Sequence, residues 1–465
     1  MKLRMPNTYL LLFALLVMIA GATWLVPGGQ YATHVVGGKT VIDPQSFQHV
    51  AAKPQSLVEL MTAPIKGFVA AAQIIGFVMI VGGAFAVLQR TQALDAFIHA
   101  VVNAHHRSAW VRRGLIPLFV LLFSLGGATF GMAEEVLPFV LLFIPLALAL
   151  GYDRMVGVAI PFVGSQVGFA AAFLNPFNVG VAQGLSGLPL FSGMGYRLVV
   201  WAVATTLTIA FLMRYAQRVK AHPALSPCYE EDRERLAQAA EEARTLQDQA
   251  PRMSGRHQAV LWLFVATLAA MVVGVVKFQW YVDEIAALFL GMAFVLAVAG
   301  RLSADEAVQA FVQGARDLVG TALVIALAKA TVILAKDAHI IDTLLHFLAP
   351  YVASSSPVWA AQKMFVIQSV INFFIHSGTG QAALTMPIMA PLSDLVGVSR
   401  QTAVLAFQLG ELSTSVIPTS GVTIGVLQLA GIPWTRWLRW MFKLQLAYFV
   451  MALLLLVPPT LWLAW

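Results

Sequence analysis

Long apolar segments alternate with short polar ones along almost the whole chain. A membrane-spanning helix needs roughly 20 apolar residues, which cover about 30 Å at about 1.5 Å per residue. Segments of this kind run over 8–27, 62–88, 155–185, 196–216, 258–278, 281–300, 314–335, 401–430 and 441–463. The pattern predicts an all-α integral membrane protein with about nine transmembrane helices, of which the first is a retained helix or, alternatively, a signal peptide.

Two further apolar segments, 114–151 and 361–396, are each divided near the middle by glycines. Their first arms, 114–125 and 364–375, would each reach only about 18 Å as helices, too short to cross a bilayer. We therefore predict two re-entrant hairpins that enter and leave by one face. Irregular backbone at that depth is tolerated only inside protein or beside a water-filled cavity.

The two halves of the chain resemble each other at a fixed spacing. Residues 65–99 align without gaps onto 312–346, which pairs Gly67 with Gly314, and later motifs follow in the same order. In the topology above, the two copies begin on opposite sides of the membrane. This predicts two inverted repeats with helices interrupted at the midplane, the architecture of many secondary transporters. Chance similarity between apolar segments is the alternative.

The longest polar interruption, 220–257, divides the chain into a first half over 1–219 and a second half over 258–465. Within this linker, 230–249 is rich in Glu, Arg, Ala and Gln, which predicts a short solvated helix. A connecting role is the simpler interpretation, and regulation is the alternative.

Composition agrees with a membrane protein, because 59% of the 465 residues are hydrophobic and only 11% are charged. The net charge of +7 does not indicate a nucleic-acid partner, since the basic residues lie at the ends of apolar segments and form no stripe. Most of them fall on one predicted side, which favours a cytoplasmic N-terminus and a periplasmic C-terminus. We expect a multi-pass protein of the bacterial inner membrane. The single Cys228 excludes a disulfide framework.

The turn of the first hairpin is the first place where site chemistry concentrates. Glycines there free the backbone from helical geometry, and carboxylates at mid-depth usually face a polar cavity. Such carboxylates could bind Na⁺, carry a proton or balance a cationic substrate; acids that cap the backbone or reach water are the alternative. Adjacent residues do not share a helix face, so one glutamate of the pair should enter the site. The candidates are Gly127, Thr129, Gly131, Glu134 and Glu135.

The turn of the second hairpin combines small residues, hydroxyls and an amide. The helix that opens there would point free N–H groups and a positive dipole end at an anion, typically a carboxylate. An ordinary loop is the alternative. The histidine is a candidate proton site or a structural hydrogen-bonding group. The candidates are His376, Ser377, Gly378, Thr379, Gly380 and Gln381.

Two of the spans are interrupted by proline and glycine. Unwinding there frees carbonyl groups that can coordinate a hard cation, whereas a simple proline kink is the alternative. Lys329 also lies within a span and either pairs with an acid or extends to the interface. The candidate ligands are Gln166, Asn175, Asn178, Glu411, Ser413, Thr414, Pro418, Thr419 and Ser420. A coupling Na⁺ would lie near Asn175, Asn178, Thr419 and Ser420.

Four segments carry a family resemblance. They read GATFGMAEE over 127–135, SGTGQAALTMPIMAPL over 377–392, QTAVLAFQ over 401–408 and IPTSG over 417–421. They resemble the YfcC-like branch of the C4-dicarboxylate anaerobic carrier (DcuC-type) family, within the ion-transporter superfamily. The resemblance covers nearly the whole chain except the loops at 28–60 and 220–257.

The resemblance implies homodimers in which a mobile domain carries the hairpins past a scaffold domain in an elevator motion. It also implies that substrate and coupling ions bind between the hairpin tips and the unwound helices. This chain departs from the family pattern at His376, where a Pro-Ser-Gly turn is expected. It departs again at Glu411, where relatives carry Gly-Asp-Gly.

These observations predict an ion-coupled carrier or exchanger of a small carboxylate-bearing metabolite. Three acids favour an amino acid, with a basic one among the options, over a C4-dicarboxylate, which is the alternative. A channel is a remote alternative, because no ring of charge lines a pore. No nucleophile elbow, metal spacing or phosphate loop indicates an enzyme, and no cofactor is expected beyond a coupling Na⁺ or H⁺.

Overall fold

A computed structural model describes residues 8–36, 39–43, 46–234, 253–278, 280, 282–353 and 356–462. Helices make up most of these residues, and strands occur only between positions 29 and 49. Lys2 and Arg4, which were used for the predicted orientation, lie outside the described residues. So does most of the predicted linker helix over 230–249, of which only 230–234 is described, as helix.

The described part of the first half contains nine α-helices, and a long polar loop follows the first of them. They are α1 (Thr8–Ala22), α2 (Leu57–Ala70), α3 (Ala72–Arg90), α4 (Ala93–Arg107), α5 (Ala109–Phe130), α6 (Leu137–Ala149), α7 (Arg154–Ala170), α8 (Val181–Leu185) and α9 (Met194–Ala221). The short strands of the loop are β1 (Gly29–Gln30), β2 (Thr33–Val36), β3 (Lys39–Ile42) and β4 (Gln48–His49). β1 pairs antiparallel with β4, and β2 with β3.

The second half repeats this order of helices from α12 onward. Its helices are α10 (Gly255–Phe278), α11 (Val282–Ala299), α12 (Ala304–Asp317), α13 (Val319–Asp337), α14 (Ile340–Leu348), α15 (Pro350–Ala353), α16 (Pro357–Phe374), α17 (Gly378–Leu395), α18 (Arg400–Gly410), α19 (Gly421–Ala430), α20 (Trp434–Leu455) and α21 (Pro458–Leu461). By length and composition, six of the described helical segments could each cross a membrane, with α12 and α13 counted as one segment.

Two predicted spans, 62–88 and 314–335, are wrong in their bounds, because each comprises parts of two helices. α2 and α3 are separated at Ala71, and α12 and α13 at Leu318, where the backbone leaves helical geometry. Capping boxes at Ser56 and Ser303 start the first helix of each pair. The polar first turns extend the helices beyond the apolar residues, which is why hydropathy alone missed these starts.

The two helix pairs pack against each other reciprocally through the glycines that the alignment matched. A Cβ on Gly67 of α2 would lie 2.2 Å from the carbonyl oxygen of Ala326 on α13. A Cβ on Gly314 of α12 would lie 2.4 Å from the carbonyl oxygen of Gly82 on α3. Glycine is required at both crossings because backbone meets backbone there.

The first hairpin segment does not break at Gly126 and Gly127 as predicted, and its first arm is longer than predicted. α5 continues to Phe130, and the turn comes at Gly131, whose φ is +79°. A Cβ on Gly127 would lie 2.2 Å from the carbonyl oxygen of Ser165 on α7. This glycine therefore allows two helices to approach closely and does not unwind one.

Two basic residues that were counted as orientation signals are buried. Arg197 of α9 is 0% exposed and donates to the side chains of Gln408 and Gln401 at 2.9 Å each. Arg154, the first residue of α7, is 2% exposed and pairs with Asp232 of the linker, which is itself buried. Both arginines join distant segments, because a charge removed from water needs partners inside the protein.

The start of the linker docks onto the first residues of α7. The backbone N–H of Arg154 donates to Asp232 at 3.1 Å, and its guanidinium donates to the carbonyl oxygen of Ala430 at 3.1 Å. Ser226 donates to Asp153, the N-cap of α7, at 2.6 Å. Between them, Cys228 is 0% exposed, and burial raises the pKa of its thiol to about 11. The cysteine predicted in a polar loop is therefore buried.

We expect Asp232→Ala to destabilise the protein by about 3–5 kcal/mol, because it leaves the guanidinium of Arg154 buried without its counter-ion. Undocking of the linker should also expose Cys228, whose thiol then reacts faster with a maleimide near neutral pH. Thermal unfolding and the rate of labelling measure the two effects. Glu230→Ala, which removes the exposed ion pair with Arg233, is the control and should change neither.

Candidate functional site

Four irregular segments meet in the interior between the helices. The first turn (131–136) joins α5 to α6, and the first break (171–180) joins α7 to α8. The second turn (375–377) joins α16 to α17, and the second break (411–420) joins α18 to α19. Each leaves peptide groups outside regular helix hydrogen bonding, so their partners decide what the site can bind.

The first turn and the first break are joined by Asn175. Its side-chain N–H donates to the carbonyl oxygen of Gly127 at 3.2 Å, while its Oδ1 accepts from the N–H groups of Phe177 and Asn178 at 2.9 and 3.2 Å. A Cβ on Gly131 would lie 2.8 Å from the same Oδ1. Only glycine therefore fits at position 131, where φ is positive and the asparagine approaches closely.

The two adjacent glutamates of the first turn have different surroundings. Glu135 is 4% exposed, and its Oε2 accepts from the N–H of Ala133 at 2.8 Å. It thereby closes the turn on itself. Glu134 is partly exposed and lines an internal cavity. One carboxylate is used within the backbone, and the other is accessible to a solute.

The second turn begins α17, and the protein's own carboxylate lies against that helix start. Ser377 caps the helix by accepting from the N–H of Gly380 at 3.3 Å. A Cβ on Gly378 would lie 3.2 Å from Oε1 of Glu411. The positive end of the α17 dipole is therefore next to the carboxyl group of Glu411 from the second break.

Side chains tie the second break to the first break and to the end of α16. Glu411 accepts a hydrogen bond from Asn178 of the first break, which links the two halves of the chain. Thr379 of α17 donates to the carbonyl oxygen of Phe177 at 3.1 Å. Asn372 of α16 donates to the hydroxyls of Ser413 and Thr414 at 2.8 and 2.9 Å. The two breaks and the helix ends that flank the two turns therefore form one hydrogen-bonded unit.

A cavity of about 90 Å³ lies between this unit and the junction of α2 with α3. It combines two carboxylates, one lysine, one histidine and three neutral polar side chains with apolar walls. Nδ1 of His376 is buried and has no hydrogen-bond partner among the described residues. The lining residues are Ala70, Ala71, Ile74, Ala133, Glu134, Gln166, Phe169, Ile325, Lys329, His376, Glu411, Thr414, Ser420, Gly421 and Val422.

A larger vestibule of about 920 Å³ lies beside the cavity, on the side of the protein that carries the loop between α1 and α2. Gln30 and Lys53 of that loop line it, as do Ser377 and Gly380 of the second hairpin. Cavity and vestibule share Ala70 and Lys329 in their walls. A solute that enters from the vestibule would therefore pass the ammonium of Lys329 before it reaches the glutamates.

Comparison with known proteins agrees with a membrane carrier. The model of the DcuC family, described as C4-dicarboxylate anaerobic carrier, matches residues 5–460. The chain belongs to this family. It is a membrane transporter with several apolar helices, and the carboxylates of the cavity lie in the interior of a carrier.

Two relatives are similar over nearly their whole length. "Putative basic amino acid antiporter YfcC" of Escherichia coli K12 is 36% identical, over 94% of this chain and 92% of that protein. An uncharacterized protein of Haemophilus influenzae is 27% identical, over 94% of each.

Two solved structures are similar at 15% identity each. The YdaH transporter of Alcanivorax borkumensis has a TM-score of 0.43, with 97% of this chain and 98% of that chain covered. MtrF of Neisseria gonorrhoeae, which belongs to a class of antimetabolite efflux pumps, has a TM-score of 0.40, with 99% and 96% covered. Likenesses this distant say nothing about individual side chains.

The candidate residues of the carrier divide into three groups by position. Those that line the cavity are Glu134, Gln166, His376, Glu411, Thr414 and Ser420. Those that line the vestibule are Ser377 and Gly380. The others form hydrogen bonds or shape the backbone around the cavity, namely Gly127, Thr129, Gly131, Glu135, Asn175, Asn178, Gly378, Thr379, Gln381, Ser413, Pro418 and Thr419.

The candidate Na⁺ ligands are divided between the two breaks. Oδ1 of Asn175 already accepts two backbone N–H groups, whereas Oδ1 of Asn178 is buried without a partner among the described residues. Thr419 donates to the carbonyl oxygen of Phe373 at 2.5 Å, and Ser420 faces the cavity. The oxygen of Asn178 is thus more available to a cation than that of Asn175.

Sequence reasoning did not include Lys329 among the site residues, although it noted a lysine within a span. The residue lies midway along α13 and lines both the cavity and the vestibule. An ionisable residue at this depth is by default a functional candidate. In the alignment of the halves it pairs with Gly82, so the charge is present in one copy alone.

We expect the two glutamates of the first turn to differ in their effect on stability. Glu135→Ala leaves the N–H of Ala133 without its acceptor, which should cost about 1–3 kcal/mol. Glu135→Gln retains a side-chain oxygen and should cost less, and Glu134→Gln should leave thermal unfolding of the ligand-free protein unchanged. A lower unfolding temperature for Glu134→Gln than for Glu135→Ala would contradict this division of roles.

Proposed function

We propose that the chain is an exchanger of amino acids with a cationic side chain, working with or without a coupling Na⁺ or H⁺. The observation that carries this proposal is that Glu134 and Glu411, one from each half, line the same cavity. In a low-dielectric interior such carboxylates bind a cation far more strongly than they would in water. The relative from Escherichia coli, named as a putative basic amino acid antiporter, supports the same class of substrate.

A C4-dicarboxylate is the second candidate substrate, because the family is described by it and because Lys329 and His376 could face an anion. Its two negative charges would, however, enter a cavity that already holds Glu134 and Glu411. Like charges at close range in a protein interior repel strongly. Charge balance therefore favours a substrate that carries more positive than negative groups.

The proposed architecture is a pair of inverted repeats, with a first half over 1–219, a linker over 220–257 and a second half over 258–465. The matching order of helices and the reciprocal contacts of Gly67 and Gly314 support it. The proposed architecture also includes about nine transmembrane helices and two re-entrant hairpins. The burial of Glu135 at the first turn supports the hairpin interpretation.

The proposed mechanism is an elevator motion in a homodimer of the bacterial inner membrane. The two turns and the two breaks would move as one body, which their mutual hydrogen bonds support. The vestibule lies beside the loop between α1 and α2, which the orientation proposed from basic residues places in the periplasm. Binding of a cation near Asn178 and Ser420, or of a proton at a glutamate or at His376, would provide the coupling.

Exchange in proteoliposomes tests the function. We expect uptake of labelled L-arginine to require internal L-arginine, to saturate, and to fall about tenfold or more in Glu134→Gln and in Glu411→Gln, since each removes a charge-assisted contact. Asp305→Asn, which alters an exposed acid, is the control. Assays with and without Na⁺ and at two pH values identify the coupling ion.

The same assay separates the alternatives. Exchange of succinate or fumarate, with no response to L-arginine, would favour the dicarboxylate carrier. Flux that rises without saturation would indicate a channel. Full exchange by both glutamate variants would contradict the proposed site.

Orientation can be tested with single cysteines in a Cys228→Ser background. We expect a cysteine at Lys53, an exposed position of the loop between α1 and α2, to react with an impermeant maleimide in intact spheroplasts. A cysteine at Asp305, at the start of α12, should react only after permeabilisation. The reverse pattern would invert the proposed topology.

A further inference from the structure

The ammonium of Lys329 occupies a position that the proposed function leaves without a role. Its side chain is half-buried, lies midway along α13 and forms part of the wall between the cavity and the vestibule. It shares the lining of the cavity with Glu134. Burying the charge of a lysine among apolar residues costs free energy, so we expect a ligand or a partner for this ammonium.

An amino acid brings one negative group into a cavity that holds two carboxylates. The helix start at the second turn was the predicted binding site for that group, but Glu411 lies against Gly378 there. Because Oε1 of Glu411 already lies at this helix start, a second carboxylate would not find the position free. The substrate's carboxylate therefore needs another cation, close enough to leave the cationic groups of the substrate near the glutamates.

Lys329 meets this requirement better than the other cations near the path. Lys53 and Lys336 line the vestibule alone, and Lys336 lies two helical turns beyond Lys329 on the same face of α13. His376 lines the cavity, but a neutral imidazole offers a weaker contact to a carboxylate than an ammonium does. Lys329 alone among these lysines borders both spaces.

We propose that Lys329 binds the carboxylate of the substrate and so makes the carrier select amino acids over the corresponding amines. This inference rests on the proposed function, because it assumes that a cationic amino acid enters the cavity. The substrate would lie with its carboxylate at the vestibule end, against Lys329. Its cationic groups would lie deeper, beside Glu134 and Glu411.

The test compares L-arginine with agmatine, which has the same guanidinium and lacks the carboxylate. Binding is measured on the purified protein from the ligand-dependent rise in unfolding temperature, since a ligand of the folded state stabilises it. Wild type should prefer L-arginine. In Lys329→Met and Lys329→Gln the ratio of the two affinities should fall about tenfold or more, with agmatine binding retained.

Lys329→Arg should keep most of the preference, because a guanidinium also binds a carboxylate. Lys336→Met is the matched control on the same helix face and should leave the ratio unchanged. The ratio of affinities separates a binding role from a structural one. If Lys329 were merely structural, its replacement would weaken the binding of both ligands by the same factor.

An equal loss of affinity for both ligands, or an unchanged ratio of the two affinities in both neutral variants, would overturn the inference. The proposed function would remain in place. Absence of any response of the wild type to L-arginine and to agmatine, together with absence of exchange, would overturn the proposed function and this inference with it.

Discussion

A carboxylate inside a membrane protein must find partners within the protein, and Glu411 shows how this carrier meets that requirement. Asn178 from the opposite half donates to it, and the start of α17 lies against it at Gly378. Asn178 belongs to the first break, and Gly378 follows the second turn directly. The interrupted helices and the hairpin turn therefore stabilise one another, because each supplies the polar groups that the others need.

Because these segments supply partners to one another, the polar groups are gathered in one interior region, apart from the surrounding helices. Asn175 and Thr379 bind the helices beside the two turns to the first break, whereas α2 and α13 meet through close contact at Gly67 with small residues. The proposed elevator motion would carry this hydrogen-bonded unit with its contents intact. That property is what a carrier needs if substrate and coupling ion are to cross together.

The charged groups differ between the two spaces on the proposed path. The vestibule carries both signs, because Glu59, Asp337 and Asp342 line it together with its lysines. The cavity holds Glu134 and Glu411, and Lys329 lies in the wall that the two spaces share. The proposed substrate, with one carboxylate and a cationic side chain, would find a partner for each of its charged groups there. The proposal of a cationic amino acid therefore rests on the local chemistry of the site and not on the family description.

The sequence by itself determined the membrane class, the family and most of the polar residues around the cavity, because hydropathy, glycine-rich turns and intramembrane acids are properties of neighbouring residues. Tertiary structure decided which of them face a solute. Glu134 and Glu135 are adjacent in sequence, yet only packing showed that one caps the backbone and the other lines the cavity. Lys329 was visible as a charge within a span, but its place beside the glutamates depends on how α13 packs. Helix breaks at Ala71 and Leu318 also escaped prediction, because neither position is a proline or a glycine.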